Sequence, residues 1–497
     1  MTRRIVIDPV TRLEGHGRIE IFLDEQGNVA DAVFQVPELR GFERFSVGRQ
    51  AEEMPVLTSR ICGICPEAHH LASVKALDNL FGVTPPSAAK KIRELLYMAF
   101  FVADHTTHFF ALGGPDLIVG PEAPPAERNL FGVIRLLGAE AGQKIVACRE
   151  RCHRTIKILG GRGIHPVAGV PGGWSKVVSS DEQQELLAIA RHNVSFARWS
   201  LQVLHQKVLG EAVWQDLFSS DLYLHRTYSM GTVDGNGRPN FYDGHIRVVD
   251  QEGTETALYP PESYQKHIAE RVEPWTYLKF PYLRNIGWNG FTDGPQSGVY
   301  VASPLSRLNV ADGMATAGAQ EEYERFFEIL GSGRNDAGRR RPVHHRLATH
   351  WARLIELLYA AERMEELAAD PELCSPHVRT ISDGSCRGVG IGSVEAPRGT
   401  LTHHYEADER GVLTRVNLVV GTTNNHAAMA MSVRRAAREL IRNGEVSEGL
   451  LNRIEMAYRL YDPCLSCATH VVGGASTVLV AIHDHTGRVV KLLGDQS

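Results

Sequence analysis

Two Cys-x-x-Cys pairs stand near opposite ends of this chain of 497 residues. The first pair is Cys62 and Cys65, the second is Cys464 and Cys467, and a histidine follows each pair closely. Two intervening residues allow both sulfur atoms of a pair to turn toward one point, so the two pairs together can supply four thiolates to a metal. A fold that uses all four must bring the two ends of the chain together.

A structural zinc site with four thiolate ligands is one interpretation of these pairs. Zinc modules usually hold their pairs within about 15–20 residues, because the metal replaces a missing core. Here most of the chain separates Cys65 from Cys464, and 43% of its residues are hydrophobic and available for a core. Covalent haem requires Cys-x-x-Cys-His, and Pro66 and Ala468 stand where that histidine would be. Nickel, iron, an iron–sulfur cluster and zinc remain open as occupants of a thiolate site.

The composition of the chain says more about its possible partners than about its fold. The 53 Lys and Arg against 58 Asp and Glu give a formal charge of −5, so neither a nucleic acid nor an anionic membrane is expected as partner. No stretch reaches the ~18 apolar residues that span a bilayer, and no apolar signal core follows the N-terminus. We therefore predict no direct membrane insertion and cysteines in the thiol form.

Apolar periodicity predicts an α+β fold that is predominantly helical. Residues 18–23 and 29–34 alternate about a turn at 24–28, which is typical of a β hairpin. Helical spacing recurs in long segments that should pack side by side, at 88–112, 181–209, 320–330, 343–369 and 425–442. We expect a central long-helix bundle with peripheral β hairpins, an irregular β-containing insertion at about 232–300, and a second β region at 388–420.

Both cysteine motifs resemble those of one known family. Arg-x-Cys-Gly-x-Cys-x3-His at 60–69 and Asp-Pro-Cys-x2-Cys-x2-His at 462–470 are similar to the two signature motifs of the nickel-iron hydrogenase large subunit. Further segments resemble the family in the family's order, at 8–16, 40–43, 115–116, 396–399 and 422–425. The resemblance implies one interleaved domain over 1–470, followed by a C-terminal extension at 471–497 that is removed on maturation.

The resemblance assigns the cysteines to a metal pair. It implies that Cys62 and Cys464 are terminal nickel ligands, and that Cys65 and Cys467 bridge nickel to an iron carrying cyanide and carbon monoxide. H2 would be cleaved heterolytically, with Cys464 accepting the proton and Glu14 relaying it. Without the motif, a lone Glu would be expected to be an ordinary surface residue.

The residues expected around the diatomic ligands also follow from the resemblance. Arg398 matches the arginine that lies over the open metal position and hydrogen-bonds a cyanide, which suits its fork of donors. Asp116 and Asp462 would orient Arg398 through charge-assisted hydrogen bonds. Pro397 and Thr422 complete the implied surroundings, and Thr422 would donate to the second cyanide.

A magnesium or similar ion is implied beside the metal pair. Glu43 and His470 match its side-chain ligands, and the Leu418 carbonyl is a further candidate. A hard ion prefers oxygen, so this site would not be expected from the residues alone. The Gly-x-Gly-x-Gly run at 388–392 lacks the spacing of a dinucleotide fingerprint, so no nucleotide site is predicted in this chain.

Electrons cannot leave through this chain alone, because its remaining cysteines form no third cluster that could hold a relay. The resemblance supplies an iron–sulfur small subunit, docked through a large apolar interface. It also implies a maturation endopeptidase and metal-insertion factors. The motifs look most like the cytoplasmic branch of the family, which feeds NAD(P), coenzyme F420 or a heterodisulfide reductase through additional subunits.

The sequence thus predicts a cytoplasmic enzyme, a hydrogen:acceptor oxidoreductase, with two rivals. One rival is a structural four-cysteine zinc protein. The other is a relative of the respiratory quinone-reductase subunit, which has lost these cysteines. Retention of all four argues against the second rival.

Overall fold

The computed structural model describes residues 4–469, 480–483 and 489–493. Four long helices form its centre, and each packs against two of the others. They are Ser87–Thr107, Ala139–Gly160, Ser180–Leu204 and Thr349–Ala369. Apolar side chains on their facing surfaces belong to one core that extends from Ile7 to Cys467. The predicted central bundle of long helices is confirmed.

Shorter helices surround this bundle. They are Phe42–Ser46, Met54–Ser59, Pro66–Leu80, Gly114–Ile118, Leu130–Leu137, Ala212–Ser219, Tyr264–His267, Pro304–Val310, Ala317–Leu330, His426–Leu440, Glu448–Arg459 and Leu465–Ala468. Periodicity does not predict the 66–80 helix, because nearly all of its side chains are buried and no polar face marks the helical period. The predicted helix at 343–369 is wrong at its start, since an extended segment and the 3-10 turn Arg346–Ala348 precede Thr349.

The strands form small, mostly antiparallel sheets. Arg18–Leu23 pairs with Val29–Gln35, as the hairpin signature predicts, and with Arg4–Ile7 on its other edge. The predicted second β region is a three-stranded meander of Val389–Ala396, Gly399–Ala407 and Leu413–Val419. Within and beside the predicted insertion lie Tyr228–Val233, His245–Val249, Glu255–Tyr259, Ile268–Val272, Lys279–Leu283 and Tyr300–Val301.

The backbone of the 66–80 helix packs directly against the backbone of the three-stranded meander. A Cβ at Gly392 would lie 2.2 Å from both the Ala72 carbonyl oxygen and the Ala76 nitrogen, so only glycine fits there. The Gly-x-Gly-x-Gly run therefore serves close packing of a strand on a helix. Because the helix begins immediately after Cys65, this packing fixes the first cysteine pair.

The two ends of the chain meet at the second cysteine pair. Glu14 and Cys464 form a parallel bridge, in which the Leu465 N–H donates to the Glu14 carbonyl at 2.9 Å. Gly15 has φ +87°, and a Cβ there would lie 2.8 Å from the Ser466 nitrogen. The approach of the N-terminal segment to the C-terminal motif thus depends on a glycine.

The predicted extension at 471–497 is described only in part. Val480–His483 pairs antiparallel with Val489–Leu493. His470 and the rest of the extension lie outside the described residues. Within the described ranges, no helix combines the length and the apolar character needed to cross a membrane.

Candidate metal centre

Four sulfur atoms from the two cysteine pairs converge on one point. The Sγ atom of Cys464 lies 3.0 Å from that of Cys62, 3.8 Å from that of Cys65 and 3.3 Å from that of Cys467. The Sγ atoms of Cys65 and Cys467 are 3.4 Å apart. All four side chains are buried, and all four ligand atoms lie within 4.8 Å of one another. Among the described residues this is the one group of cysteine, histidine and acidic side chains arranged to hold a metal ion.

The pKa values of Cys62 and Cys464 are shifted in opposite directions. Burial opposes ionisation of Cys62, but hydrogen bonds from the thiols of Cys464, Cys467 and Cys65 outweigh burial and hold the pKa of Cys62 well below its usual value. The backbone N–H groups of Ile64 and Cys65 also donate to the Cys62 sulfur, at 3.2 and 3.3 Å. Burial and the neighbouring sulfurs raise the pKa of Cys464. A bound metal would favour the thiolate form of these sulfurs.

Glu14 contacts the sulfur that the sequence assigns as proton acceptor. The Cys464 Sγ–H donates to Glu14 Oε2 at 3.1 Å, and the Ser466 N–H donates to the same oxygen at 3.1 Å. The Ser466 hydroxyl donates to Oε1. Burial, followed by the charge of Cys62, raises the pKa of Glu14. Glu14 is half-buried, so it lies between the buried sulfur of Cys464 and the solvent.

Arg398 is buried between two carboxylates. Its Nη1 lies 2.9 Å from Asp104 Oδ2, and its Nη2 lies 3.0 Å from Asp462 Oδ2. Burial works against the charge, yet Asp104, Asp462 and the sulfurs of Cys464 and Cys65 raise the pKa of Arg398. Its Nε has no hydrogen-bond partner among the described residues. A fixed positive charge beside the sulfurs thus keeps one donor available.

The predicted contact between Asp116 and Arg398 is wrong. Asp116 pairs instead with Arg12 at 2.5 Å and Arg459 at 2.6 Å, because a short helix after the 108–112 turn carries it toward the 448–459 helix. Asp104 takes the predicted place beside Arg398. An acidic residue within the apolar run of the 87–107 helix is the signal that indicates a buried partner.

Thr422 contacts the backbone of Cys464, and Pro397 precedes Arg398 in the turn beside the site. The Thr422 hydroxyl oxygen accepts from the Cys464 N–H at 3.0 Å, which leaves the hydroxyl proton free to be donated elsewhere. The Pro397 carbonyl accepts from Arg307 Nη2 at 3.1 Å. The roles of these residues toward diatomic ligands stay predictions.

Glu43 lies in a second buried charge cluster. Its Oε1 accepts from the Leu418 N–H at 2.7 Å and from Lys279 Nζ at 3.0 Å. Lys279 Nζ is also 3.4 Å from Glu270 Oε1 and 3.2 Å from Asn417 Oδ1. Burial raises the pKa of Glu43 despite Lys279, and Glu270 adds to the rise. Two carboxylates share one ammonium here, so a further cation would balance the remaining negative charge of the cluster. Sequence reasoning missed Lys279 and Glu270, which no motif marks.

The remaining cysteines stand apart from the four-sulfur centre. Cys148 and Cys152 are buried on the 139–160 helix, where Asn193 lies between them. Cys374 and Cys386 are half-buried. None of these four belongs to the metal-binding group found among the described residues.

A helical-bundle metalloprotein with a buried four-sulfur centre is the class that this fold and site define. The chain belongs to the nickel-dependent hydrogenase family, whose model matches residues 40–130 and 301–470. A second model, described as HoxL-like, matches residues 4–39. The chain is the catalytic component of a nickel-iron hydrogenase, and both the structural zinc interpretation and the quinone-reductase interpretation are wrong.

Named relatives match over almost the whole chain. An F420-non-reducing hydrogenase iron-sulfur subunit of Archaeoglobus profundus is 45% identical, covering 99% of each chain. The NAD-reducing hydrogenase HoxS subunit beta of Cupriavidus necator is 38% identical, again covering 99% of each chain. The crystal structure of an NAD+-reducing [NiFe]-hydrogenase in the H2-reduced state superposes with a TM-score of 0.86 at 39% identity, covering 94% of this chain and 100% of that one.

Proposed function

We propose that the four-sulfur centre holds nickel together with an iron that carries cyanide and carbon monoxide, with Cys65 and Cys467 bridging the two. The observation that carries this proposal is the convergence of four buried sulfurs beside a buried guanidinium. Thiolate sulfur suits nickel and iron, and the unpartnered Nε of Arg398 suits an anionic ligand. When bound, the metals supply the electron-rich centre at which H2 is cleaved heterolytically.

The protein's own part in the reaction is to move a proton and hold a charge. Cys464 Sγ accepts a proton and passes it 3.1 Å to Glu14 Oε2. The raised pKa of Glu14 lets its carboxyl hold that proton before releasing it on the half-buried side. Arg398 contributes a positive charge whose position Asp104 and Asp462 fix.

Isotope exchange with infrared spectroscopy tests this function. We expect the purified complex of this chain and its iron–sulfur partner to convert H2 in D2O to HD and D2, and to show infrared bands of metal-bound cyanide and carbon monoxide. A metal-loaded complex that shows neither exchange nor such bands would contradict the proposal.

We further propose that Glu43, the Leu418 carbonyl and His470 hold magnesium or a similar ion. The support is that two carboxylates, the buried Glu43 and the half-buried Glu270, share the ammonium of Lys279. Carboxylate and carbonyl oxygens are the donors that a hard cation prefers. The proposed mature chain ends at His470, which the intact mass of the active complex checks. A retained 471–497 segment would contradict that part.

Glu43→Gln is expected to lower the affinity for the ion at least about 100-fold, because it removes the only charged ligand that the proposal assigns. Elemental analysis after dialysis against limiting magnesium measures the loss. Glu270→Gln removes the same charge from the same cluster without removing a proposed ligand, so it should retain most of the ion. Equal retention by both variants would contradict the assignment of Glu43.

We propose that the iron–sulfur partner docks where the first cysteine loop reaches the surface. Gly63, between Cys62 and Cys65, is exposed, whereas the second pair is buried throughout. Just before this loop, the Ile61 carbonyl accepts from Arg40 Nη1 and the Ser59 carbonyl accepts from the His165 ring. Exposed apolar side chains lie on these same segments, at Leu39, Phe45, Val47, Val56 and Ile164. A partner's cluster placed there would lie close to the sulfurs, because exposed Gly63 is next to Cys62.

Phe45→Glu is expected to abolish co-purification of the iron–sulfur partner with the tagged chain, because a charge would enter an apolar interface. Phe45 is 52% exposed, so the isolated chain should fold normally. Phe131→Glu, at an 80% exposed position on the 130–137 helix, is the matched control and should retain the partner. If Phe45→Glu retains the partner as fully as the control, the docking face lies elsewhere.

We also propose that residues 1–470 form one interleaved domain in the cytoplasm. The core shared by Ile7 and Cys467 supports the domain, and the motif resemblance supports the compartment. Electrons would pass to additional subunits linked to NAD(P), coenzyme F420 or heterodisulfide reductase. Fractionation of the source cells, and H2-dependent reduction of each acceptor by the native complex, test these two points.

A further inference from the structure

Arg307 is a fully buried arginine that the sequence motifs do not mark and that has no contact with the sulfurs among the described interactions. It lies on the Pro304–Val310 helix, directly behind the turn that carries Arg398. We propose that Arg307 is a positioning residue that holds Arg398 over the four-sulfur centre. This inference rests on the role proposed for Arg398.

The guanidinium of Arg307 grips the backbone just before Arg398. Its Nη1 donates to the Ala396 carbonyl at 3.0 Å, and its Nη2 donates to the Pro397 carbonyl at 3.1 Å. These are the two peptide groups that lead from the 389–396 strand into the turn before the 399–407 strand. The guanidinium makes five donor contacts here, two to successive carbonyls and three to carboxylates, whereas an ammonium has only three donors.

Two buried glutamates fix Arg307 in turn. Glu356, on the 349–369 helix of the central bundle, accepts from Nε at 2.6 Å and from Nη2 at 2.7 Å. Glu395 accepts from Nη1 at 3.1 Å. Both glutamates are fully buried, so these charge-assisted bonds are shielded from water and resist displacement. The turn is thereby tied to the 349–369 helix of the central bundle.

Asn425 holds the turn from its other side. Its side-chain N–H donates to the Arg398 carbonyl at 2.7 Å, while its Oδ1 accepts from the Ala302 N–H at 2.8 Å. The carbonyls of three consecutive residues, 396 to 398, therefore each accept from a buried side chain. Asp104 and Asp462 hold the guanidinium of Arg398. Arg307 and Asn425 hold the backbone of the turn that carries it.

A long arginine side chain has many rotamers, so both its head and its base must be fixed to place a charge within a fraction of an ångström. Displacement of a catalytic group by about 1 Å can cost about 100-fold in rate. The arrangement predicts that loosening the turn will displace Arg398 without removing any atom that touches the proposed metals.

Arg307→Lys is the principal test, because it keeps the charge that Glu356 and Glu395 require but offers three donors in place of five, so the two carbonyls are held less firmly. We expect kcat for H2 oxidation to fall about 10- to 100-fold while KM for the electron acceptor and the nickel and iron contents stay near normal. The infrared bands of the cyanide ligands should shift, because the donor that Arg398 presents to them moves.

Arg93→Lys is the matched control for a merely structural effect. Arg93 is also fully buried, pairs with Asp78 and donates to the Val170 and Gly173 carbonyls, none of which belongs to the metal centre. This variant should lose thermal stability to a similar degree with unshifted infrared bands. If Arg307→Lys behaves like Arg93→Lys, with unshifted bands and a normal kcat, the inference is wrong.

Two further variants make the result decisive. If Arg307→Lys fails to accumulate as loaded enzyme, Asn425→Ala loosens the same turn without leaving a buried charge, and the same shift and rate loss are expected. Arg398→Met separates the two proposals. A normal rate for Arg398→Met would overturn the role of Arg398 itself, whereas a slow Arg398→Met beside a normal Arg307→Lys and a normal Asn425→Ala would overturn only the inference about Arg307.

Discussion

Replacement of Cys464 by serine is expected to lower H2 uptake at least about 1,000-fold, because the change removes both the proposed proton acceptor and a nickel ligand. The Cys464 sulfur lies within 3.8 Å of all three other cysteine sulfurs and 3.1 Å from Glu14 Oε2. A serine hydroxyl is too weakly acidic to take over either task. Uptake of H2 with an artificial dye measures the loss.

Cys148→Ser is the matched control for Cys464→Ser. Cys148 is as deeply buried as Cys464 but lies outside the four-sulfur group. Its variant should keep its metals and its activity while losing some thermal stability. Activity of Cys464→Ser within tenfold of the parent enzyme would refute the role assigned to this residue.

Glu14→Gln is expected to slow exchange between H2 and D2O by about 100-fold or more, the contribution typical of a positioned proton-transfer group. The amide keeps the shape of the side chain and can still accept from Ser466, but it cannot take a proton from Cys464. Conversion of para- to ortho-hydrogen requires H2 to be cleaved and re-formed at the site but requires no exchange of protons with solvent. This conversion should therefore persist in Glu14→Gln. Exchange is followed by membrane-inlet mass spectrometry.

Glu20→Gln serves as the control for Glu14→Gln. Glu20 is a buried carboxylate on the Arg18–Leu23 strand, where it pairs with Arg18. Its variant should exchange at the parental rate. The proton route through Glu14 is refuted if both variants exchange at that rate, or if Glu14→Gln loses para-to-ortho conversion together with its metals.

Much of the candidate site is predictable from the sequence because short motifs carry it. Each Cys-x-x-Cys pair must bring its sulfurs to one point, and the structure brings both pairs together. Glu14 and Arg398 stand in segments with several fixed residue types. Asp104, Lys279 and Arg307 could not be predicted in this way, because each is a single charged residue whose partners lie far away in the sequence.

Asp116 illustrates the limit of motif reasoning. Its segment matches the family, but its carboxylate faces Arg12 and Arg459, and Asp104 occupies the expected place. Twelve positions along the chain and the end of the 87–107 helix separate these two acidic residues. A motif indicates that a residue matters, whereas the partner depends on how the elements pack.

The fold is predictable where one face of an element is polar. The 18–23 and 29–35 strands and the 87–107 and 180–204 helices show periods that locate them, and the 349–369 helix is located except for its start. The 139–160 helix is not among the predicted segments. The 66–80 helix escapes because it is buried on nearly all sides. The helix that positions Cys65 is thus among those that periodicity does not reveal.

The central claim is that the two cysteine pairs build one nickel-iron centre. Elemental analysis combined with nickel-edge X-ray absorption on the purified complex tests it most directly. We predict one nickel per chain, bound by sulfur from all four cysteines, with an iron neighbour, and loss of that signal in Cys464→Ser. Zinc in place of nickel, or nickel bound mainly by nitrogen and oxygen, would contradict the account.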